Sequence, residues 1–235
     1  MHSQPKDTSL SRDNNIARYK LSPSDFAYLY NDCKLCYWLK IKHKVKLPSM
    51  PMPGVFSTMN SIVQGDLVGK NLREISADLP EGKIIKQEGF VKSNPIEGTN
   101  VFISGKYDLL VENPDGTHMI VDLKISKPSD EKSDMYKSQL WSYKYALENP
   151  QDAEPLKITK LALLIFYPDS VKFEDGVAKV MFPPQWVEVD HDEAGFIKLM
   201  KEVDDLLAGP PPTETEKCQW CNYRHIGEKF SHYQE

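Results

Sequence analysis

Asp108, Asp122 and Lys124 are the residues of this sequence whose types and spacing best suit chemistry. They flank Asn113-Pro114-Asp115-Gly116, which has proline and glycine where a tight reversal wants them, so residues 100–112 and 117–125 are expected to pair as an antiparallel hairpin. Folded about Pro114 and Asp115, the hairpin sets position 108 opposite 121, and one bulge would bring Asp108 level with Asp122. Asp122 and Lys124 are two apart on a strand and share a face. Two carboxylates beside a lysine suit a hard divalent cation, Mg²⁺ or Mn²⁺, which takes oxygen ligands. Such an ion polarises a phosphodiester and acidifies water, while a lysine orients that water or offsets developing charge. Phosphodiester hydrolysis is the reaction this trio fits. An exposed hairpin with a surface ion pair would contain the same residues. Against it, Asp122 stands among Met119, Ile120, Val121 and Leu123, where an acid is costly unless it serves a charge partner or a metal.

The second chemical feature is the set of four cysteines, in two pairs, Cys33/Cys36 and Cys218/Cys221. Two cysteines three residues apart can aim both thiolates at one centre, and two such pairs complete a four-thiolate set that serves zinc or an iron–sulfur cluster. Two redox dithiols, or four inert buried thiols, are the competing readings. A metal here would join the first helix to the tail, closing most of the chain into a loop worth roughly 4 to 5 kcal/mol by the entropy of a crosslink. Tyr37, Trp38, Trp220 and Tyr223 around the pairs read as packing in preference to a stacking platform for bases.

The elements that must position these groups are legible in outline. Ser22 and Pro23 read as the N-cap and first residue of a helix along which Phe26, Leu29, Tyr30, Cys33 and Tyr37 recur, fading before Pro48. A proline-rich connector (48–54) precedes a helix over about 55–77, closed by Pro80. Strands are expected over 83–91, 100–112, 117–125, 158–167 and 177–189, a helix over 129–147 with Met135, Gln139, Tyr143, Ala146 and Leu147 on one face, and a last helix over 193–207 stopped by Gly209 and three prolines. The expected fold is α/β, a mixed sheet flanked by helices, with residues 1–19 a disordered leader. Residues 20–235 would form one domain, its sheet core at 83–190 and its cysteine tail at 208–235.

With 235 residues and a formal charge of −5, the chain can bury a sizeable core but does not coat nucleic acid by bulk charge. A local basic groove is still open to it, from Lys34, Lys40, Lys42, His43, Lys44 and Lys46 with Arg224 and His225; a solvated lysine-rich surface explains the same run. No window is apolar enough for a membrane span, and the polar start lacks a signal core, so no membrane partner and a reducing, cytoplasmic setting are expected.

Gly105-Lys106-Tyr107-Asp108, then Val121-Asp122-Leu123-Lys124, then Gln139 and Tyr143 four apart on the next helix, resemble in order the signatures of the PD-(D/E)XK nuclease superfamily of RecB-like type. The resemblance implies a restriction-endonuclease-like core, with Asp108, Asp122 and Leu123 at the metal, Lys124 in catalysis, and Gln139 and Tyr143 supporting the site and the DNA strand. Glu88 is the candidate for an additional acid on the preceding strand. Where many relatives place a metal-binding histidine, this sequence offers only Ser57, Asn60 or Ser61. Clamped relatives in DNA repair and CRISPR adaptation commonly hold an iron–sulfur cluster, so the resemblance implies a [4Fe-4S] centre on Cys33, Cys36, Cys218 and Cys221, with Zn²⁺ as the alternative. It further implies a DNA exonuclease on single strands or ends, working with a helicase or another DNA-processing protein. The competing function is a catalytically weak nuclease fold that binds DNA or recruits a partner.

Overall fold

The computed structural model describes residues 18–48, 53–128 and 130–231. Leader residues 1–17, most of the proline connector and Ser129 lie outside the described residues. In chain order the elements are β1 (Tyr19–Leu21), α1 (Pro23–Asp25), a π-helical segment (Phe26–Tyr30), α2 (Lys34–His43), α3 (Gly54–Leu67), α4 (Leu72–Ile75), β2 (Lys83–Lys92), β3 (Val101–Glu112) and β4 (His118–Ile125). After these come α5 (Asp130–Glu148), β5 (Ile158–Phe166), β6 (Ser170–Glu174), β7 (Val177–Met181), β8 (Pro184–Glu188), α6 (Glu193–Ala208) and α7 (Gln219–Phe230).

The main sheet is mixed. β3 pairs antiparallel with β2 and β4 and parallel with the short β1, β4 runs parallel to β5, and β8 closes the far edge antiparallel to β5. The crossover from β4 to β5 is α5, the helix that a parallel pair requires. α5, α6, α2 and the π segment bury Leu140, Phe196, Met200, Tyr37 and Phe26 in one cluster that includes Ile120, Leu163 and Ile165 of the sheet. Leu67, Leu72 and Leu79 bury a second cluster with Val111, Val121 and Leu164, whose alternation along their strands puts them on the other face. The result is a mixed sheet covered by helices on both faces, a restriction-endonuclease-like α/β fold.

Several expected elements differ. The first helix is broken: Cys33 is extended at φ −156 and caps a separate α2, so it is buried as an N-cap and not as part of a continuous helical face. The helix over 55–77 stops at Leu67, where Val68 is extended and Gly69 takes φ +90, before one turn of α4 capped reciprocally by Asn71 and Glu74. The strand over 177–189 is two strands parted at Phe182 and Pro183, and β6 pairs with β7 in a separate hairpin turned at Asp175 and Gly176, both at positive φ.

The hairpin register also differs by one residue. Its loop runs from Asn113 to Thr117, closed by the Asn113 N–H on the Thr117 carbonyl (2.8 Å) and by Asp115 Oδ1, which accepts from both the N–H and the hydroxyl of Thr117. Leu109 therefore faces Val121, and Asp108 comes level with Asp122 without the bulge.

Gly105 shows how the first segment is seated on β3. A Cβ there would meet Cδ of Pro23 at 2.8 Å and Cε1 of Tyr143 at 3.6 Å. Gly105→Ala must push the Pro23 turn off the strand, and we expect a loss of about 1 to 3 kcal/mol in denaturant unfolding; unchanged stability would show that this contact is not tight.

Candidate functional site

β3 and β4 pair only over Leu109–Glu112 and His118–Val121, while β4 stays hydrogen-bonded to β5 as far as Ile125. The two strands thus part where Asp108 and Asp122 stand. Leu123, the first β4 residue past the split with an N–H on that side, donates it to Oδ2 of Asp108 at 2.9 Å. A residue's N–H and C=O point to the same edge of a strand, so the Leu123 carbonyl faces the opened edge beside Asp108.

Asp122 is 2% exposed. Its Oδ1 accepts a hydrogen bond from Nε2 of Gln139 at 2.9 Å, and its Oδ2 lies 2.6 Å from Nζ of Lys124. Oδ2 of Asp122 is thus partnered by the Lys124 ammonium, while Oε1 of Gln139 is buried without a hydrogen-bond partner. Tyr143, one helical turn after Gln139, donates its hydroxyl to the Lys106 carbonyl and so ties β3 to α5 just ahead of Asp108. Five of the residues singled out in the sequence, Asp108, Asp122, Lys124, Gln139 and Tyr143, therefore share one site.

Glu88 is placed differently. The register of β2 puts it opposite Asp108, between Gln87↔Leu109 and Gly89↔Tyr107, but its backbone is left-handed at φ 46 and its side chain is exposed, 4.0 Å from Nζ of Lys106. A non-glycine residue held there costs on the order of 1 kcal/mol.

Two residues were missed from the sequence. Nζ of Lys124 sits 4.3 Å from the ring centre of Tyr136, whose hydroxyl meets that of Tyr28 at 2.9 Å. Tyr136 precedes Gln139 by three and Tyr143 by seven, a helical stripe that was available; the buried face of α5 runs through Tyr136 and Leu140, with Met135 at its margin. Tyr28 gave no signal, because its position depends on the π-helical turn, which no local pattern announces.

Electrostatically the acids are strained. Burial first, then the charge of Asp122, raises the Asp108 pKa to about 7, although Lys124 and the Leu123 N–H pull it down. Burial raises Asp122 as well, against the pull of Lys124. Burial opposes the charge on Lys124, yet the surrounding groups, Asp122 foremost, outweigh it and raise its pKa, so it remains an ammonium. Two carboxylates pushed up by burial, Asp108 by the charge of Asp122 as well, together with a carbonyl at the same opening, form an oxygen set that a hard divalent cation fits.

The four cysteines also converge. All are buried, and their sulfurs lie within 4.8 Å of one another, a set that can hold a metal. The expected basic groove beside them is largely occupied by contacts within the chain: Lys40 pairs with Asp25, Lys42 donates to the Leu207 carbonyl, Lys44 to the Ile41 carbonyl, Arg224 to Sγ of Cys221, and His225 contacts Glu214. Tyr37 and Trp38 are core residues, whereas Tyr223 is exposed.

The sequence model of the PD-(D/E)XK nuclease superfamily matches residues 63–226, and the chain belongs to that superfamily. The match spans the site and the second cysteine pair and begins after the first pair. Among solved structures, the crystal structure of SSO0001 superposes with a TM-score of 0.45 at 15% identity, covering 88% of this chain and 84% of that one. No curated protein matches. Members of this superfamily are generally nucleases that use divalent metals. Among the described residues no helix is long and apolar enough to cross a membrane.

The raised Asp108 pKa fixes a pH dependence for the metal-free chain. Folded, it keeps its proton up to about pH 7; unfolded, it loses it near the ordinary value of 3.8. The folded state binds more protons across that window, so stability falls as pH rises through it. Asp108→Asn should flatten this slope and, near pH 8 without metal, stabilise the chain by on the order of 2 kcal/mol. Thermal unfolding in chelator across the window checks it, and equal slopes for both proteins would contradict the charge strain.

Proposed function

We propose that this chain is a divalent-metal-dependent deoxyribonuclease that hydrolyses phosphodiester bonds at single strands or ends. The observation that carries the proposal is the opening between β3 and β4, where half-buried Asp108 comes level with buried Asp122 and Lys124 stands against Oδ2 of Asp122. Asp108, Asp122 and the Leu123 carbonyl would hold Mg²⁺ or Mn²⁺, which when bound polarises the scissile phosphate and acidifies the attacking water.

The protein's own groups have separable tasks. Gln139 donates to Oδ1 of Asp122 and so fixes the orientation of the carboxylate, with Oδ2 turned toward Lys124. Lys124, held as an ammonium between Asp122 and the Tyr136 ring, offsets negative charge that develops on the phosphate oxygens. Tyr143 holds the β3 backbone through the Lys106 carbonyl, and with it the approach of Asp108 to the opening. Tyr28 is 53% exposed in edge contact with Tyr136, an aromatic surface beside the lysine on which an unpaired base can lie. Glu88 sits on the rim as an additional acid facing incoming cations or strand.

A second reading, a DNA-binding module with weak turnover, is favoured by α3. There Ser57 is bonded to the Gly54 carbonyl and Asn60 to Gln64, in the stretch where many relatives carry a metal-binding histidine.

The test is cleavage of end-labelled single-stranded and duplex DNA, with Mg²⁺ or Mn²⁺, by the wild type, Asp122→Ala and Lys124→Ala. We expect loss of at least about 100-fold in each variant, with the single strand preferred. Equal cleavage by all three proteins contradicts the site, and specific DNA retention without cleavage in either metal selects the second reading.

A further inference from the structure

The spacing of the four cysteine sulfurs distinguishes between the metal centres that four thiolates can serve. Cys33 Sγ lies 3.8 Å from Cys221 Sγ, and Cys36 Sγ lies 3.7 Å from both Cys218 and Cys221. All four sulfurs fall within 4.8 Å of one another. Four thiolates around one zinc, each about 2.3 Å from the ion, sit at the corners of a tetrahedron whose edge is about 3.8 Å. That is the distance found for Cys33–Cys221, Cys36–Cys218 and Cys36–Cys221.

A four-iron cubane does not fit this spacing. There each thiolate binds a different iron, and the width of the cluster holds the sulfurs apart by roughly 6 Å. A two-iron cluster takes two thiolates per iron, which makes two close pairs separated by the rhomb. Here all four sulfurs lie within 4.8 Å of one another, so no division into two pairs leaves the pairs apart. A disulfide, at about 2.05 Å, is equally far from these separations.

We therefore infer that Cys33, Cys36, Cys218 and Cys221 hold one tetrahedral ion of the zinc class in place of the iron–sulfur cluster that the RecB-like resemblance implies. The backbone supports two matching half-sites. Cys33 is the N-cap of α2 and Cys36 lies in its first turn; Cys218 and Cys221 have the same places on α7. The carbonyls of both cap cysteines accept the amide four residues on, from Tyr37 and Asn222, each at 3.0 Å. Two helix N-termini thus point their unpaired amides toward a centre that carries two net negative charges when four thiolates bind one divalent ion. Arg224 adds a cation, with Nη2 3.0 Å from Sγ of Cys221. Every ligand position is a protein thiolate and all four are buried, so the site has no open position: it is a structural, redox-inert joint between the two ends of the described chain.

This inference is independent of the chemistry at Asp122, and its test does not read nuclease activity. The full chain is expressed with both iron and zinc supplied and purified without oxygen; iron, zinc, acid-labile sulfide and the visible spectrum are then measured. The account predicts about one zinc per chain, no sulfide, a colourless protein, and, after exchange with Co²⁺, the intense visible bands of tetrahedral cobalt thiolate, lost in Cys36→Ser. Brown protein with two or four irons and matching sulfide per chain overturns it, as does protein that binds neither metal. Because the stoichiometry is read on the wild type, failure of the variant to fold leaves the test intact.

Discussion

The structure turns on one constraint: two carboxylates, Asp122 buried and Asp108 half-buried beside it, stand where neighbouring strands separate. Within a continuous ladder both would point into a sheet face with no counter-charge except Lys124, and burial raises the pKa of each. The separation admits other groups to the gap. Leu123 turns its N–H to Asp108 and its carbonyl to the same edge, and α5 lays Gln139 and Tyr143 across the opening. Holding such a site together costs stability, and the two apolar clusters on either face of the sheet supply the offset.

Much of this was legible in the sequence, for reasons that differ by element. The hairpin was readable because Pro114, Asp115 and Gly116 leave the chain few alternatives, and the face shared by Asp122 and Lys124 follows from the strand period alone. The register was off by one because Thr117 belongs to the loop, through its double hydrogen bond to Asp115, a side-chain choice that alternation cannot show. Gln139 stood out as a polar residue on an otherwise apolar stripe. Tyr136 lay on the same stripe but read as ordinary core.

The missed elements depend on tertiary context. β1 has three residues and exists because β3 offers a free edge to Tyr19, Lys20 and Leu21. The break before α2 is set by Cys33, which leaves helical geometry to cap the helix and face Cys221. The strand β6 and its hairpin with β7 are absent from the expected elements although Asp175-Gly176 is a turn sequence, and β7 and β8 differ from the one expected strand because only Pro183 and Pro184 mark their boundary. The cysteine spacing predicts the convergence of all four sulfurs.

The central claim is that buried Asp122, with Asp108 and the Leu123 carbonyl at the parted strands, marks a seat for a divalent cation. The most direct measurement is titration of the full chain with Mn²⁺ by electron paramagnetic resonance, which counts free ion, for the wild type and Asp122→Asn. Asparagine keeps the shape and a carbonyl acceptor for Gln139 while removing the charge. The account predicts saturable binding by the wild type and a rise in Kd of at least about tenfold in the variant, roughly 1.4 kcal/mol or more. Equal Mn²⁺ binding by two equally folded proteins would contradict it.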